Sequence, residues 1–195
     1  NNGSTWVTES GLKVDGSPYM GRMAQRQVIV TKMQAALQGN EDIRAESRFF
    51  NLIAAPGYPE LLDEMITLST DRKQTAFVLG DTPFRLNASG TAIQNWATNT
   101  ANAPTNGEDG LLSASPYAAV YYPSGYTSDL SGNNVTVPAT HIALRTLAFN
   151  DQVAYPWFAP AGYTRGLVNN ATSVGYITGE GEFQAVTLSE GQRDT

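Results

Sequence analysis

Three side chains stand where chemistry is commonly done. Asp81 follows the apolar run TAFVLG (75–80), Ser124 follows YAAVYY (117–122) and Pro123, and His141 is the only histidine. An α/β sheet places active groups at the carboxyl ends of its strands, so Asp81 could hold a metal and Ser124 could be a nucleophile. A serine nucleophile needs a base and an orienting acid, and no GxSxG elbow is present to bring Ser124 to His141. The plainer readings are preferred. Asp81 caps a turn before Pro83, Ser124 belongs to a Pro-Ser-Gly turn, and His141 is solvated in the first turn of a helix.

Other chemistries fare no better. The acidic pairs Asp63/Glu64, Glu108/Asp109 and Glu180/Glu182 lie in unlike segments, whereas a glycosidase needs two carboxylates ~5–10 Å apart across a sugar. Asp63/Glu64 fit the preference of acids for the start of a helix. GxGxxG, a P-loop and an EF-hand loop are missing, and with no cysteine there is no disulfide framework, zinc knuckle or thiol chemistry. Twelve basic against 18 acidic residues give a net charge of −6, and Arg44, Arg48, Arg85, Arg145 and Arg165 are scattered singly. That balance argues against nucleic acid or an anionic membrane as partner. No apolar run approaches the ~18–20 residues that span a bilayer. The preferred readings thus assign no catalytic, cofactor or metal residue, and an α/β hydrolase-like domain using Asp81, Ser124 or His141 stands as the alternative.

Positioning falls to an alternation of short apolar runs and longer periodic ones. Strands are predicted over 49–55, 75–80, 117–122, about 134–137 and 173–178. Helices are predicted over 22–39, 58–73, 89–100 with Ser89 as cap, and about 139–150 after Pro138. Strands separated by helices of this length imply an α/β domain with a largely parallel or mixed sheet flanked by helices. Residues 1–47 read as an elaboration in front of a core over 48–195, with GLKVDGSPY as a turn between extended pieces. At the other end, TLSEGQRDT opens like a capped helix and stops within its first turn. A trimmed or proteolytic fragment of a longer protein is therefore expected.

Two aromatic segments remain, YAAVYYPSGY (117–126) and YPWFAPAGYTRG (155–166). Only 15% of residues are charged, against ~25% in average soluble domains, so extensive protein–protein packing is favoured. Tyr117, Tyr121, Tyr122, Tyr126 and Trp157 could form an interface or a sugar platform. For Trp157 and Phe158 the flanking prolines favour an inward corner that plugs the core, leaving Arg165 as the interface residue.

The order of these motifs resembles the contractile-tail sheath proteins of myoviruses, with a finer likeness to those of phiKZ-like giant phages. A strand ends in Ala55-Pro56-Gly57, a later one enters Tyr122-Pro123, and a helix opens at Val137-Pro138-Ala139-Thr140 with Arg145-Thr146 at its centre. The PWxAPAGxxRG corner follows, through Pro156, Trp157, Phe158, Pro160, Gly162 and Arg165. The likeness covers about residues 48 to 190. It implies a non-enzymatic subunit without cofactor, located in the virion and assembled in the host cytoplasm. Its partners would be other sheath subunits in six-fold helical array, the tail tube, and baseplate and tail-terminator proteins. A fragment lacking the family's exchanged terminal strands is expected to be monomeric, and residues 1–47 are expected to face outward.

Overall fold

Side-chain alternation along one strand sets the layering. The computed structural model describes residues 20–102, 107–155, 157–187 and 189–190. Strand β2 (Phe77–Asp81) lies between β1 (Leu52–Ala54) and β3 (Ala118–Tyr121), parallel to both. Val78 and Gly80 face one side, where a Cβ on Gly80 would lie 2.8 Å from Leu62 Cδ1. Leu79 and Asp81 face the other side. The strand is buried on both faces, as the unbroken apolar run predicts.

The first side is covered by a 3-10 turn (Pro59–Leu61) leading into helix α2 (Leu62–Asp71). Pro59 suits a helix start because it lacks an N–H, and Asp63 and Glu64 fall in the first turn. Leu61, Leu62, Met65 and Leu68 pack with Ile53, Ala76 and Val78 into the main core. Helix α1 (Met20–Gly39) lies against the 3-10 turn and α2, burying Val30 and bringing Met33 and Leu37 to that core. Helix α3 (Gly90–Ala97) makes the second crossover, and Ser89 caps it by accepting from Ala92 N at 3.2 Å. The second side of β2 is met by helix α4 (Ala139–Val153).

The mixed α/β class expected from the sequence is the observed one, but only the first half of the core is parallel. Strands β4 (Ser124–Ser128), β5 (Asn134–Val137), β6 (Ser173–Ile177) and β7 (Phe183–Ala185) form a separate antiparallel sheet in the order β5-β4-β6-β7. The Pro123-Ser124-Gly125 turn is therefore corrected. After the cis Tyr122–Pro123 peptide, Ser124 opens β4 directly and pairs with Gly175. Packing explains the choice of residues: a Cβ on Gly125 would overlap Ile142 of α4. Strand β7 is held in part by Phe183, whose ring stacks on Tyr126 at 4.3 Å.

The turn read at GLKVDGSPY, Pro156, and most of the helix read from Thr187 onward lie outside the described residues. No described helix is long and apolar enough to cross a membrane.

Candidate functional site: a sheet-end clamp and an exposed aromatic corner

Pro138 opens α4 without any side-chain cap, which would leave buried N–H groups unsatisfied at that end. Asp81, only 3% exposed at the carboxyl end of β2, supplies the missing acceptor. Its Oδ1 accepts from Thr140 N at 2.8 Å, and its Oδ2 accepts from Thr140 Oγ1 and from Gly57 N, both at 2.7 Å. A carboxylate at the positive end of a helix is further favoured by the backbone dipoles. The cap expected of Asp81 exists, but it serves a helix 59 residues away rather than the turn at Pro83.

Gly57 is favoured by its backbone conformation. Its φ of +84° is one that residues with a Cβ rarely adopt. A Cβ there would lie at ordinary packing distance, 3.4 Å from Pro138 Cγ and 3.5 Å from the Phe84 ring, so the turn already touches the start of α4. Ala55, Pro56 and Gly57 thus turn tightly, with Ala55 O accepting from Tyr58 N at 3.1 Å, and press the turn onto the start of α4.

The other side of Gly57 is gripped from α1. Arg26 Nη2 donates to Gly57 O at 2.9 Å, while Arg26 Nε and Nη2 form a fork on Glu60 at 2.6 and 2.9 Å. Nη2 also reaches Glu108 Oε1 at 3.1 Å, and the guanidinium lies 5.0 Å from the Tyr58 ring centroid. Burial works against the Arg26 charge, but the hydrogen bond and charge of Glu60 outweigh it and raise its pKa. Burial pushes the Glu108 carboxyl up, and the nearby Glu60 charge adds to the rise. No local pattern could have singled out Arg26, whose partners lie 31 to 82 residues along the chain.

The three side chains at strand and helix ends, Asp81, Ser124 and His141, do not converge. Asp81 is engaged by three donors, Ser124 is buried in β4, and His141 is exposed. Among the described residues no hydrogen bond joins them, and no group of three His, Asp or Glu could hold a metal ion. Of the acidic pairs, Asp63/Glu64 start α2 and Glu180/Glu182 lie exposed in the connection from β6 to β7. Asp81 acts as a structural acceptor that ties β1, β2 and α4 together.

The tyrosines of the first aromatic segment are divided. Tyr117 is exposed, Tyr126 lies under Phe183, and Tyr122 donates its hydroxyl to Leu86 O at 3.2 Å. Burial, with a smaller contribution from Tyr176, pushes the Tyr122 phenol up to about 12. Its neutral form is the folded one, so stability is complete below the ordinary phenol pKa of ~10 and falls as pH rises from there towards 12. An absorbance titration at alkaline pH should show a late tyrosine ionisation near pH 12, and Tyr122→Phe should remove it.

At the far end of α4 the inward corner is not what forms. Trp157 is 75% exposed and Phe158 44%, with Tyr155 and Tyr163 exposed as well. The reading of Trp157 and Phe158 as core plugs is therefore corrected. The chain leaves α4 through extended Ala154 (φ −143°, ψ 170°), and α4 buries Ala139, Thr140, Ile142 and Asn150 in their place. The corner instead packs on itself. Tyr155 and Trp157 stack at 4.8 Å, Arg165 lies 4.9 Å from the Phe158 ring, and Asn150 Nδ2 donates to Phe158 O at 2.9 Å. Pro160 leads into Gly162, whose φ of +76° opens the short helix α5 (Gly162–Arg165). A groove of about 200 Å³ adjoins it, lined by Arg145, Phe149 and Gln152 of α4 and by Leu167, Asn169 and Asn170.

A plugged core residue would cost ~3–5 kcal/mol on truncation. For exposed Trp157 we expect Trp157→Ala to stay within ~0.5 kcal/mol of the parent in urea unfolding. Compared with known proteins, the chain matches no family model and no curated protein sequence.

Proposed function

We propose that this chain is a structural subunit of a contractile phage tail sheath, a body that polymerises around a tail tube and is rearranged, not unfolded, when the tail shortens. One observation carries the reading. The segments on which the resemblance rests, Ala55-Pro56-Gly57 and Val137-Pro138-Ala139-Thr140, meet at a single buried clamp on Asp81. A subunit that exchanges neighbours during contraction must keep its own shape, and rigid-body motion about interfaces needs internal ties of this kind.

The corner supports the same reading from outside. Among the described residues, eight of the fifteen exposed large apolar side chains fall between Phe149 and Val168, a concentration that suits burial against another protein. Its partners are neighbouring sheath subunits, with the tube, baseplate and terminator proteins bounding the assembly, and its place is the virion. Antibodies raised against this chain test the assignment. They should decorate the tail along its whole length, before and after contraction. Decoration of the capsid or fibres alone would overturn it.

A further inference from the structure

The least covered large apolar side chain described is Leu130, at 108% relative exposure on the tip joining β4 and β5. Turn tips are ordinarily polar, and this one is rigid. Asp129 Oδ1 accepts from Ser131 N and Asn133 N, both at 2.8 Å, and its Oδ2 accepts from Asn133 Nδ2 at 3.1 Å. Asp129 N donates to Asn133 O at 2.8 Å, and Gly132 N donates to Asp129 O at 3.1 Å while Gly132 takes a φ of +84°. Within 129–133, Leu130 alone keeps an unpartnered main-chain N–H among the described residues. The tip therefore displays an apolar knob, a free donor and a negative charge in fixed relation, so little ordering is left to do on binding.

The groove beside the aromatic corner has the opposite character. Phe149 and Leu167 give it apolar walls, and Arg145 is its one charged residue, without an ion pair among the described residues. We propose that the groove receives the Asp129–Leu130 tip of a second copy of this chain. Leu130 enters between Phe149 and Leu167, and the carboxylate of Asp129 faces Arg145. Three of the Asp129 lone-pair sites are taken within the tip, and a carboxylate has about four.

The tip and the groove are different surfaces, and a contact between unlike surfaces repeats head to tail rather than closing as a dimer. The inference rests on the sheath reading for its polymer and names the contact within it.

Because the chain has no cysteine, Ser131→Cys gives a single attachment point for a nitroxide label. Spin-labelled chain is mixed at up to ~1 mM with ¹⁵N-labelled, label-free chain, a concentration at which even weak association is populated. Amide signals of Arg145, Phe149, Gln152 and Leu167 should broaden in the label-free copy. Leu130→Ser on the labelled copy, or Arg145→Glu on the other, should weaken the effect by ~10-fold or more. Both side chains are exposed, and unchanged amide positions elsewhere would show each variant folded. Broadening centred on another surface, or none at ~1 mM, overturns the pairing. Tubes seen together with broadening elsewhere would leave the sheath reading standing and remove only this contact.

Discussion

Asp81→Ala is expected to lower the unfolding free energy by ~3–5 kcal/mol, the largest effect of any single polar change in this chain. The carboxylate accepts from two main-chain N–H groups and one hydroxyl. Removing it strands the donors of Gly57 and Thr140 in a buried place, at ~1–3 kcal/mol each. Asp81→Asn should recover little, because its amide NH2 would face donors where acceptors are needed. Thr140→Val removes only the hydroxyl bond and should cost ~1–2 kcal/mol. Urea unfolding of the three variants checks the order. A group placed for chemistry gives the contrary result, since removing an active-site charge commonly leaves stability unchanged or raised.

Arg26→Met is the second large effect, expected at ~2–3 kcal/mol. The variant keeps most of the apolar stem but leaves the Glu60 carboxylate, 7% exposed, without its cation. The value lies below that of a fully buried pair because the Arg26 side chain is itself 38% exposed. Adding Glu60→Gln should restore more than half of the loss, giving a coupling of ~1–3 kcal/mol in a double-mutant cycle. The damage should also be local. Hydrogen exchange should quicken around Gly57 and along α1, which Arg26 ties to the core, before it quickens in β2.

These two residues illustrate what the sequence makes legible. Local chemistry reads well: Pro59 and the acids behind it mark α2, Ser89 caps α3, and Pro138 opens α4. The apolar run at 75–80 becomes the central strand because both its faces are covered. What depends on distant partners does not read. Strand β4 is SGYTS, with no apolar run, and exists because β5 and β6 flank it and Ile142 packs on Gly125. Asp81 is recognisable as a cap, but its helix lies on the far side of β3 and both β4 and β5 in the chain. Trp157 shows another limit. Prolines fix the course of the backbone at a corner, yet composition does not tell which side of the corner faces the core.

The clamp and the corner together suit a machine part. The clamp spans β1, β2 and α4 and ties the turn at Gly57 to α1 through Arg26, so a force applied at one element is shared by the others. The corner and its groove lie at the opposite end of α4 from that clamp, free to meet a neighbour without loosening the interior. On this view, contraction changes contacts at the corner and leaves the clamp intact.

Helical reconstruction by electron microscopy of this protein, polymerised alone and in the presence of a tail tube, tests the proposed sheath role most directly. We expect six-fold tubes in a long and a short form, with this α/β body superimposable between them and the Trp157 corner buried against a neighbour in at least one. Free monomers under every salt condition, or tubes in which the corner faces solvent in both forms, would contradict it.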